Sequence, residues 1–202
     1  GALVNLRRLA GPFLENCLQS FAWEPYRVIG FTSVFSQQTA SLALARRLKE
    51  RWPEKTVAFG GANCQDVMGT ALMRQFPFVD WVFNGEADIA FPQAVAQLRD
   101  GRSPESIDGL TRRVDGGIHE QGAGCTPDLE ALPYPDFDDY WSALERWSPD
   151  YLGYAPVSLE LSRGCWWGSA SQCVFCGLNC KSLKYRRKSA QRAEAEIKAV
   201  TA

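Results

Sequence analysis

The spacing of apolar positions changes several times along the N-terminal half of the chain. Between Leu3 and Leu18 apolar side chains recur near a helical period, which predicts a helix over 3–21 with a kink or break at Pro12. Beyond it, short runs rich in β-branched and aromatic residues alternate with longer amphipathic segments. They predict strands over 26–35, 56–59 and 79–83, and helices over 36–51 (capped by Ser36), 64–76 and 86–99.

This alternation predicts an α/β fold. Strands joined by helices of this length form right-handed βαβ units, and such units build a parallel sheet. Three strands are few for a sheet of this kind, and the first recognisable element is a helix. We therefore expect a further strand upstream of this chain.

The second half of the pattern predicts shorter elements. They are a hairpin over 111–120, a linker rich in Gly, Pro and Asp over 122–136, a helix over 137–147, a strand over 157–162, a cysteine-bearing loop over 163–181 and a helix over 190–200. One strand and one helix cannot bury a core, so the last domain is expected to continue past residue 202. The predicted division is an α/β domain with its hairpin (1–121), a linker with a short helix (122–154) and the start of a second domain (155–202).

Composition and charge narrow the classes of partner. The chain has 202 residues, of which 46% are hydrophobic and 22% charged, as in globular proteins. A net charge of −1 gives no overall attraction to nucleic acid or to an anionic membrane, and we expect neither as a partner. No stretch is apolar enough to span a bilayer, and the first residues do not read as a signal peptide. The basic run Lys181–Lys188 is expected to be a solvent-exposed strand and helix entry.

Four of the seven cysteines lie between Cys165 and Cys180. Without a secretion signal this crowding favours metal ligation and a reducing cytoplasm over a disulfide framework. Cys165, Cys173 and Cys176 follow a predicted strand with the spacing C-x7-C-x2-C. Three thiolates can hold a four-iron cluster and leave the fourth iron open to a chelating substrate. Spacing alone leaves alternatives, because Cys180 could complete a structural zinc site or a fully ligated electron-transfer cluster.

The residues around these cysteines carry a family resemblance. S-R-G-C-W-W-G, followed by C-V-F-C-G-L-N, K-Y-R-R-K-S and a helix, resembles radical S-adenosylmethionine enzymes, most of which have C-x3-C-x2-C. The longer spacing with its tryptophan pair is similar to C-methyltransferases that mature ribosomally made peptides and carry a cobalamin-binding domain before the barrel. V-I-G-F-T-S-V-F-S-Q-Q-T, F-G-G-A-N-C and F-P-F-V-D-W-V-F-N-G-E-A-D agree with that domain in order. Cys180 departs from the family, which usually has a small non-ligating residue there, and we treat it as a bystander.

The resemblance implies a fold, cofactors and partners. The fold is a Rossmann-like (flavodoxin-like) parallel-sheet cobalamin-binding domain, a linker, and the first strand, loop and helix of a truncated TIM-like radical S-adenosylmethionine barrel. Cys165, Cys173 and Cys176 would ligate a 4Fe-4S cluster, and Phe175 would contribute to the S-adenosylmethionine pocket. The implied reaction is radical methylation of an unactivated carbon with methylcobalamin as methyl donor. The implied partners are a precursor peptide substrate and an electron donor such as flavodoxin or ferredoxin.

Three loops are expected at the carboxyl ends of the predicted strands, where open parallel sheets bind ligands. They cover 32–38, 60–63 and 84–86, and each precedes a helix with free backbone amides. Glycines let the backbone approach a bulky ligand, and polar side chains can hydrogen-bond its amides or phosphodiester. The candidate cofactor-binding residues are Ser33, Ser36, Gln38, Gly60, Gly61, Ala62, Asn63, Gly85 and Glu86.

Missing motifs limit the choice of ligand. Neither G-x-x-x-x-G-K-[ST] nor G-x-G-x-x-G is present, which argues against simple ATP or NAD binding. The D-x-H-x-x-G signature of cobalamin enzymes with a histidine lower ligand is also missing. The only histidine, His119, falls in the predicted hairpin. If cobalamin binds, we expect no protein imidazole on cobalt.

Two alternative functions stay open at this point. The first keeps the same cofactors and changes the substrate to a small metabolite. The second belongs to another class, a non-catalytic α/β binding module with a structural zinc site. Because one strand is far from a complete barrel, these 202 residues are not expected to turn over alone.

Overall fold

The computed structural model describes residues 2–122, 124–176 and 184–201, with side chains from residue 7 onward. The chain forms two compact units, Gly1–Thr126 and Pro127–Ala202. The three-part division predicted from the sequence stays a prediction, because compactness does not show which segments fold independently.

The first unit contains four helices and five strands among its described residues. The helices are α1 (Ala2–Ser20), α2 (Gln37–Arg51), α3 (Val67–Gln75) and α4 (Ala87–Arg99). The strands are β1 (Val28–Thr32), β2 (Thr56–Gly60), β3 (Trp81–Phe83), β4 (Leu110–Val114) and β5 (Gly117–Glu120). The order of the elements confirms the alternation that the sequence predicts.

The five strands form one sheet in the order β1-β2-β3-β4-β5. The first three are parallel, and Thr32 of β1 lies opposite Gly60 of β2. The predicted hairpin forms and extends this sheet, because β4 pairs antiparallel with β3 and β5 pairs antiparallel with β4. A sheet dominated by parallel strands, with crossover helices between them, is the Rossmann-like α/β fold predicted above.

Helices cover both faces of the sheet, because strand side chains alternate between faces. On one face the sheet packs against α2 and α3, and on the other against α4. The first core contains Ala45, Val57, Phe59, Leu72, Met73 and Val82. The second contains Ala58, Trp81, Phe83, Ala90, Ala94 and Leu110. Each face therefore has its own apolar layer.

Three local predictions differ from the structure. Helix α1 continues through Pro12 without a break, because proline removes one backbone donor but leaves the flanking turns intact. Ser36 stands at the N-cap of α2 without a side-chain capping bond, since its backbone (φ −84°, ψ 3°) is not extended as capping requires. The helix predicted from residue 64 begins at Val67, because Asp66 adopts a left-handed φ of 53° that interrupts the helix.

In the second unit the described elements are short. They are α5 (Asp138–Trp147), a 3-10 turn (Pro149–Tyr154), β6 (Ser162–Arg163), β7 (Arg186–Arg187) and α6 (Ala190–Thr201). The strand predicted over 157–162 is reduced to β6. In the part of the chain that the structure describes, only β7 pairs with this region, and a strand exists only where backbone groups find a partner.

Part of the predicted linker is fixed within the second unit. The Arg186 guanidinium donates to the Pro127 carbonyl at 3.1 Å, and the Glu130 carboxylate accepts from the backbone and hydroxyl of Ser189. Leu129, between Pro127 and Glu130 in the chain, is buried. Residues 127–130 are therefore a packed segment of this unit.

Among the described residues of this basic run, the expectation of solvent exposure is wrong for Lys188. Lys188 is buried, and its ammonium lies 2.8 and 2.6 Å from the two carboxylate oxygens of Glu196. A buried charge needs such a partner, since water cannot solvate it. A separate observation concerns membranes: among the helices of the described residues, none has the length and apolarity to span a bilayer.

Candidate functional site

The ends of β1 and β2 are joined by hydrogen bonds at the carboxyl edge of the sheet. The Ser33 amide donates to the Gly60 carbonyl at 2.7 Å, and the Asn63 amide donates to the Ser33 carbonyl at 3.0 Å. The Ser33 hydroxyl is buried and accepts from the Asn63 side chain at 3.1 Å. The structure thus brings two predicted loops together, with Ser33 inside and Asn63 bridging them.

Gly61 is required at this junction by its backbone conformation. Its φ of +94° lies in a region that side chains disfavour, and a Cβ there would sit 2.7 Å from the Ser33 carbonyl oxygen. The adjacent Ala62 opens a 3-10 turn that ends at Cys64. The glycine therefore shapes the loop by allowing two backbones to approach closely.

Phe35 is a feature of this edge that the sequence analysis missed. Its backbone is left-handed (φ 47°), its carbonyl accepts from the Asn63 side chain at 3.1 Å, and its ring is 76% exposed. Non-glycine residues hold such a conformation only where the surroundings fix it. A single aromatic residue between Val34 and Ser36 gives no signal of this arrangement in the sequence.

An asparagine connects the third loop to the segment that follows the second loop. The Asn84 side-chain oxygen accepts from the Asp66 amide at 2.8 Å, and the Asn84 amide donates to the Gly109 carbonyl at 2.7 Å. Gly85 follows with a φ of +94°. Glu86, the N-cap of α4, makes no side-chain capping bond. All three predicted loops therefore lie along one edge of the sheet.

Ser36 and Gln38 lie at the start of α2, beside the first loop. The loop is closed there by Gln37, whose side-chain oxygen accepts from the Val34 amide at 3.0 Å. The ligand contacts predicted for Ser36, Gln38 and the other residues of these loops stay predictions, since the hydrogen bonds described at this edge join parts of the protein to one another.

A cavity of about 430 Å³ opens next to this edge, on the face of the sheet that carries α4. Helix α4 packs over β2 and β3, whereas Gly30 of β1 is exposed, and a Cβ at Gly30 would meet nothing within 4 Å. The walls are mainly apolar, and backbone of the second loop forms part of them. The lining includes Gly30, Thr32, Ala58, Gly60, Gly61, Phe83, Phe91 and Pro92.

The cysteine loop lies in the second unit and starts from β6. Gly164 adopts a φ of +82°, and a Cβ there would collide with the Lys184 carbonyl, so only glycine fits between β6 and the returning chain. Cys165 follows directly. Its sulfur accepts a hydrogen bond from the Gly168 amide at 3.3 Å.

The other two predicted ligands lie on a separate turn, where the Cys176 amide donates to the Cys173 carbonyl at 3.1 Å. Cys165 is exposed, and Cys173 and Cys176 are partly exposed. Within 2–122, 124–176 and 184–201, no three Cys, His, Asp or Glu residues are grouped closely enough to hold a metal ion. The structure thus places the three thiols on one loop without gathering them, and Cys180 lies outside the described residues. Metal sites commonly close only when the metal binds.

Phe175, predicted to line the S-adenosylmethionine pocket, is 87% exposed. Trp166 and Trp167 are also exposed, with their rings 5.9 Å apart at 85°. Large aromatic side chains on one short loop offer an apolar surface for a ligand ring. The role of Phe175 stays a prediction.

Comparison with known proteins gives three likenesses. No protein-family model matches the chain. The uncharacterized methyltransferase PH0819 of Pyrococcus horikoshii is 24% identical over 172 residues, which are 84% of this chain and 36% of that protein. The solved structure of the cobalamin-dependent S-adenosylmethionine radical enzyme OxsB, with aqua-cobalamin and S-adenosylmethionine bound, aligns with a TM-score of 0.68 at 16% identity, over 94% of this chain and 24% of OxsB. Apo OxsB aligns with a TM-score of 0.62 at 16% identity, over 95% of this chain and 25% of OxsB.

Identities this low establish the fold rather than the chemistry. The chain spans 36% of the methyltransferase and 24% of OxsB, so the activity of the whole protein is a matter for proposal. The chain therefore has a Rossmann-like α/β fold, with structural neighbours that are cobalamin-dependent radical S-adenosylmethionine enzymes and a distant relative named as a methyltransferase.

Proposed function

We propose that the chain is part of a cobalamin-dependent radical S-adenosylmethionine methyltransferase that methylates an unactivated carbon of a ribosomally made peptide. The observation that carries this proposal is the order of two features along one chain. A Rossmann-like sheet with a loop-lined carboxyl edge comes first, and the C-x7-C-x2-C loop follows it. The likeness to OxsB over 94% of the chain supports the same combination.

The donor chemistry of the loop fits an iron–sulfur cluster. Cys165, Cys173 and Cys176 supply three thiols that solvent reaches. All-thiolate ligation is typical of four-iron clusters, and a three-thiolate set leaves one iron for S-adenosylmethionine. When bound, the cluster supplies the electron that cleaves S-adenosylmethionine. The three cysteines would hold the cluster and position it for that chemistry.

The sheet fits a bulky cofactor with a nucleotide tail. A cavity of about 430 Å³ on an uncovered part of the sheet can take an apolar group, and Thr32, Gly60 and Gly61 of the first two loops form part of its lining. The chain's one histidine, His119, lies in β5, opposite Arg112 and away from these loops. We therefore assign cobalamin to this edge without a protein imidazole on cobalt. Replacement of His119 by Ala should leave cobalamin affinity unchanged.

Substrate and reductant follow from the resemblance rather than from geometry. The sequence S-R-G-C-W-W-G with the long cysteine spacing is similar to peptide-maturing C-methyltransferases. We therefore propose a precursor peptide as substrate and a small redox protein, flavodoxin or ferredoxin, as electron donor.

The test uses the whole protein that contains this chain, reconstituted anaerobically with iron, sulfide and cobalamin. We expect reduced protein to convert S-adenosylmethionine to 5′-deoxyadenosine, and each of Cys165→Ala, Cys173→Ala and Cys176→Ala to abolish it. Cys125→Ala is the matched control, because this exposed thiol lies in the first unit. Retained cleavage in all three loop variants would overturn the assignment of the cluster.

The methylation itself is read by mass spectrometry of a candidate precursor peptide with isotopically labelled S-adenosylmethionine. Label in the peptide at carbon supports the proposed substrate class. Cleavage of S-adenosylmethionine with label only in a small metabolite would reject the peptide and retain the cofactors.

A further inference from the structure

The seven residues between Cys165 and Cys173 form a folded turn. The Ser169 amide donates to the Cys165 carbonyl at 2.9 Å, and the amides of Ala170 and Ser171 donate to the Trp167 carbonyl at 3.0 and 2.8 Å. These bonds close the first part of the loop on itself. The long spacing between the first two cysteines therefore contains an ordered element.

One side chain attaches this turn to the rest of the unit. The Ser169 hydroxyl donates to the Cys165 carbonyl at 3.0 Å and accepts from the Tyr185 amide at 3.0 Å. Tyr185 directly precedes β7, which pairs with β6 just before the cysteine loop. The hydroxyl thus connects the turn to the returning chain at a second point, beyond the β6–β7 pairing.

We propose that Ser169 is a positioning residue for Cys165. This proposal rests on the proposed function in one respect, namely that Cys165 ligates a cluster. The Cys165 carbonyl is held by the amide and the hydroxyl of Ser169, and its sulfur is held by the Gly168 amide. Cys173 and Cys176 share a different turn. The first ligand is thereby anchored to paired strands before metal binds, and the second turn closes onto it.

Ser171 supplies a matched control in the same turn. Like Ser169, it is an exposed serine whose amide donates to a backbone carbonyl of the turn. In the described part of the chain its hydroxyl makes no hydrogen bond. Removing the Ser171 hydroxyl therefore perturbs the composition of the turn without breaking the link to Tyr185.

The first test needs no metal. Amide exchange of Tyr185 is measured by NMR in the metal-free chain, and Ser169→Ala should speed it about fivefold, which is the loss expected for one hydrogen bond of about 1 kcal/mol. Ser169→Thr keeps the hydroxyl and should restore protection, and Ser171→Ala should leave it unchanged. If the Tyr185 amide of Ser169→Ala exchanges at the wild-type rate, the hydrogen bond between Tyr185 and the Ser169 hydroxyl is refuted.

The second test measures the cluster. In protein reconstituted with iron and sulfide, a chelator should remove iron on the order of tenfold faster from Ser169→Ala, the lower end of the effect of outer-shell partners on metal affinity. The electron paramagnetic resonance spectrum of its reduced cluster should also change, with Ser169→Thr resembling wild type. If Ser169→Ala and Ser171→Ala lose iron at the same rate and give the same spectrum, the positioning role of Ser169 is refuted but the proposed function is not. Wild-type protein that takes up no cluster refutes the proposed function as well.

Discussion

Gly61 offers the sharpest test of how the carboxyl edge of the sheet is built. Its backbone (φ 94°, ψ −179°) lies in a region that is open almost only to glycine. A Cβ in Gly61→Ala would lie 2.7 Å from the Ser33 oxygen and 3.0 Å from the Ser33 nitrogen. Both are backbone atoms that join the first two loops, so neither can move without breaking hydrogen bonds to Gly60 or Asn63.

The expected cost follows from two terms. A side chain in this backbone region costs about 1–3 kcal/mol, and a clash that displaces packed backbone adds about 1–3 kcal/mol. We expect Gly61→Ala to lower the free energy of unfolding by about 3 kcal/mol, since the two terms relax together. Urea unfolding followed by circular dichroism measures the change.

Gly30→Ala is the control for this substitution. Gly30 also lies near the cavity, but its φ is not positive and a Cβ there meets nothing within 4 Å. Alanine in a strand should leave the free energy of unfolding unchanged or raise it by about 0.5 kcal/mol. The reasoning fails if Gly61→Ala unfolds at the same urea concentration as wild type, or if both variants lose the same stability.

Three further predictions concern the cavity, the buried ion pair and the buried thiol. Gly30→Leu should fill the cavity. We expect it to weaken cobalamin binding about tenfold in a titration without loss of stability, because the pocket needs an open wall at this position. Unchanged affinity would place the ligand elsewhere. Glu196→Gln should cost about 3 kcal/mol of unfolding free energy, since it leaves the Lys188 charge buried and weakly paired. Glu194→Gln, which breaks an exposed pair, should cost less than about 0.5 kcal/mol; equal losses in urea unfolding would contradict the burial argument. Burial raises the pKa of the Cys64 thiol to about 12, so at pH 8 only about one molecule in ten thousand carries the thiolate. Iodoacetamide should therefore label Cys64 only after unfolding, and mass spectrometry measures this labelling.

The α/β fold of the first unit could be predicted from the sequence, because each strand and helix carries its own spacing of apolar residues. The runs that became β2 and β3 are short and mainly apolar on both faces, as buried parallel strands require. The hairpin was also predicted, but its pairing with β3 was not. Local spacing predicts that a strand forms and does not specify which sheet edge it joins.

The second unit was harder to predict, since its contacts link residues far apart in the chain. Lys188 was expected to face solvent with its basic neighbours, yet it pairs with Glu196 in the interior. The number of basic residues in a run does not predict that one of its lysine side chains is buried. The predicted strand over 157–162 likewise depends on a partner, and only Ser162–Arg163 is paired in the described part of the chain.

The sequence likewise predicts only part of the candidate site. Residue types alone predicted that Gly61 and Asn63 lie in a loop at the carboxyl end of a strand, where open parallel sheets bind ligands. The hydrogen bonds that give them their positions, from Asn63 to Ser33 and Phe35, depend on the parallel pairing of β1 with β2. Ser169 carried no signal in the sequence, since its link to Tyr185 exists only in the folded loop.

The most direct test of the central claim is metal and sulfide analysis of the anaerobically reconstituted chain, with its visible absorbance. We predict about four iron and about four sulfide per chain, brown absorbance from thiolate-bound iron, and loss of both in the variant that lacks Cys165, Cys173 and Cys176. Bound zinc without iron or sulfide would contradict the account and favour a structural zinc site.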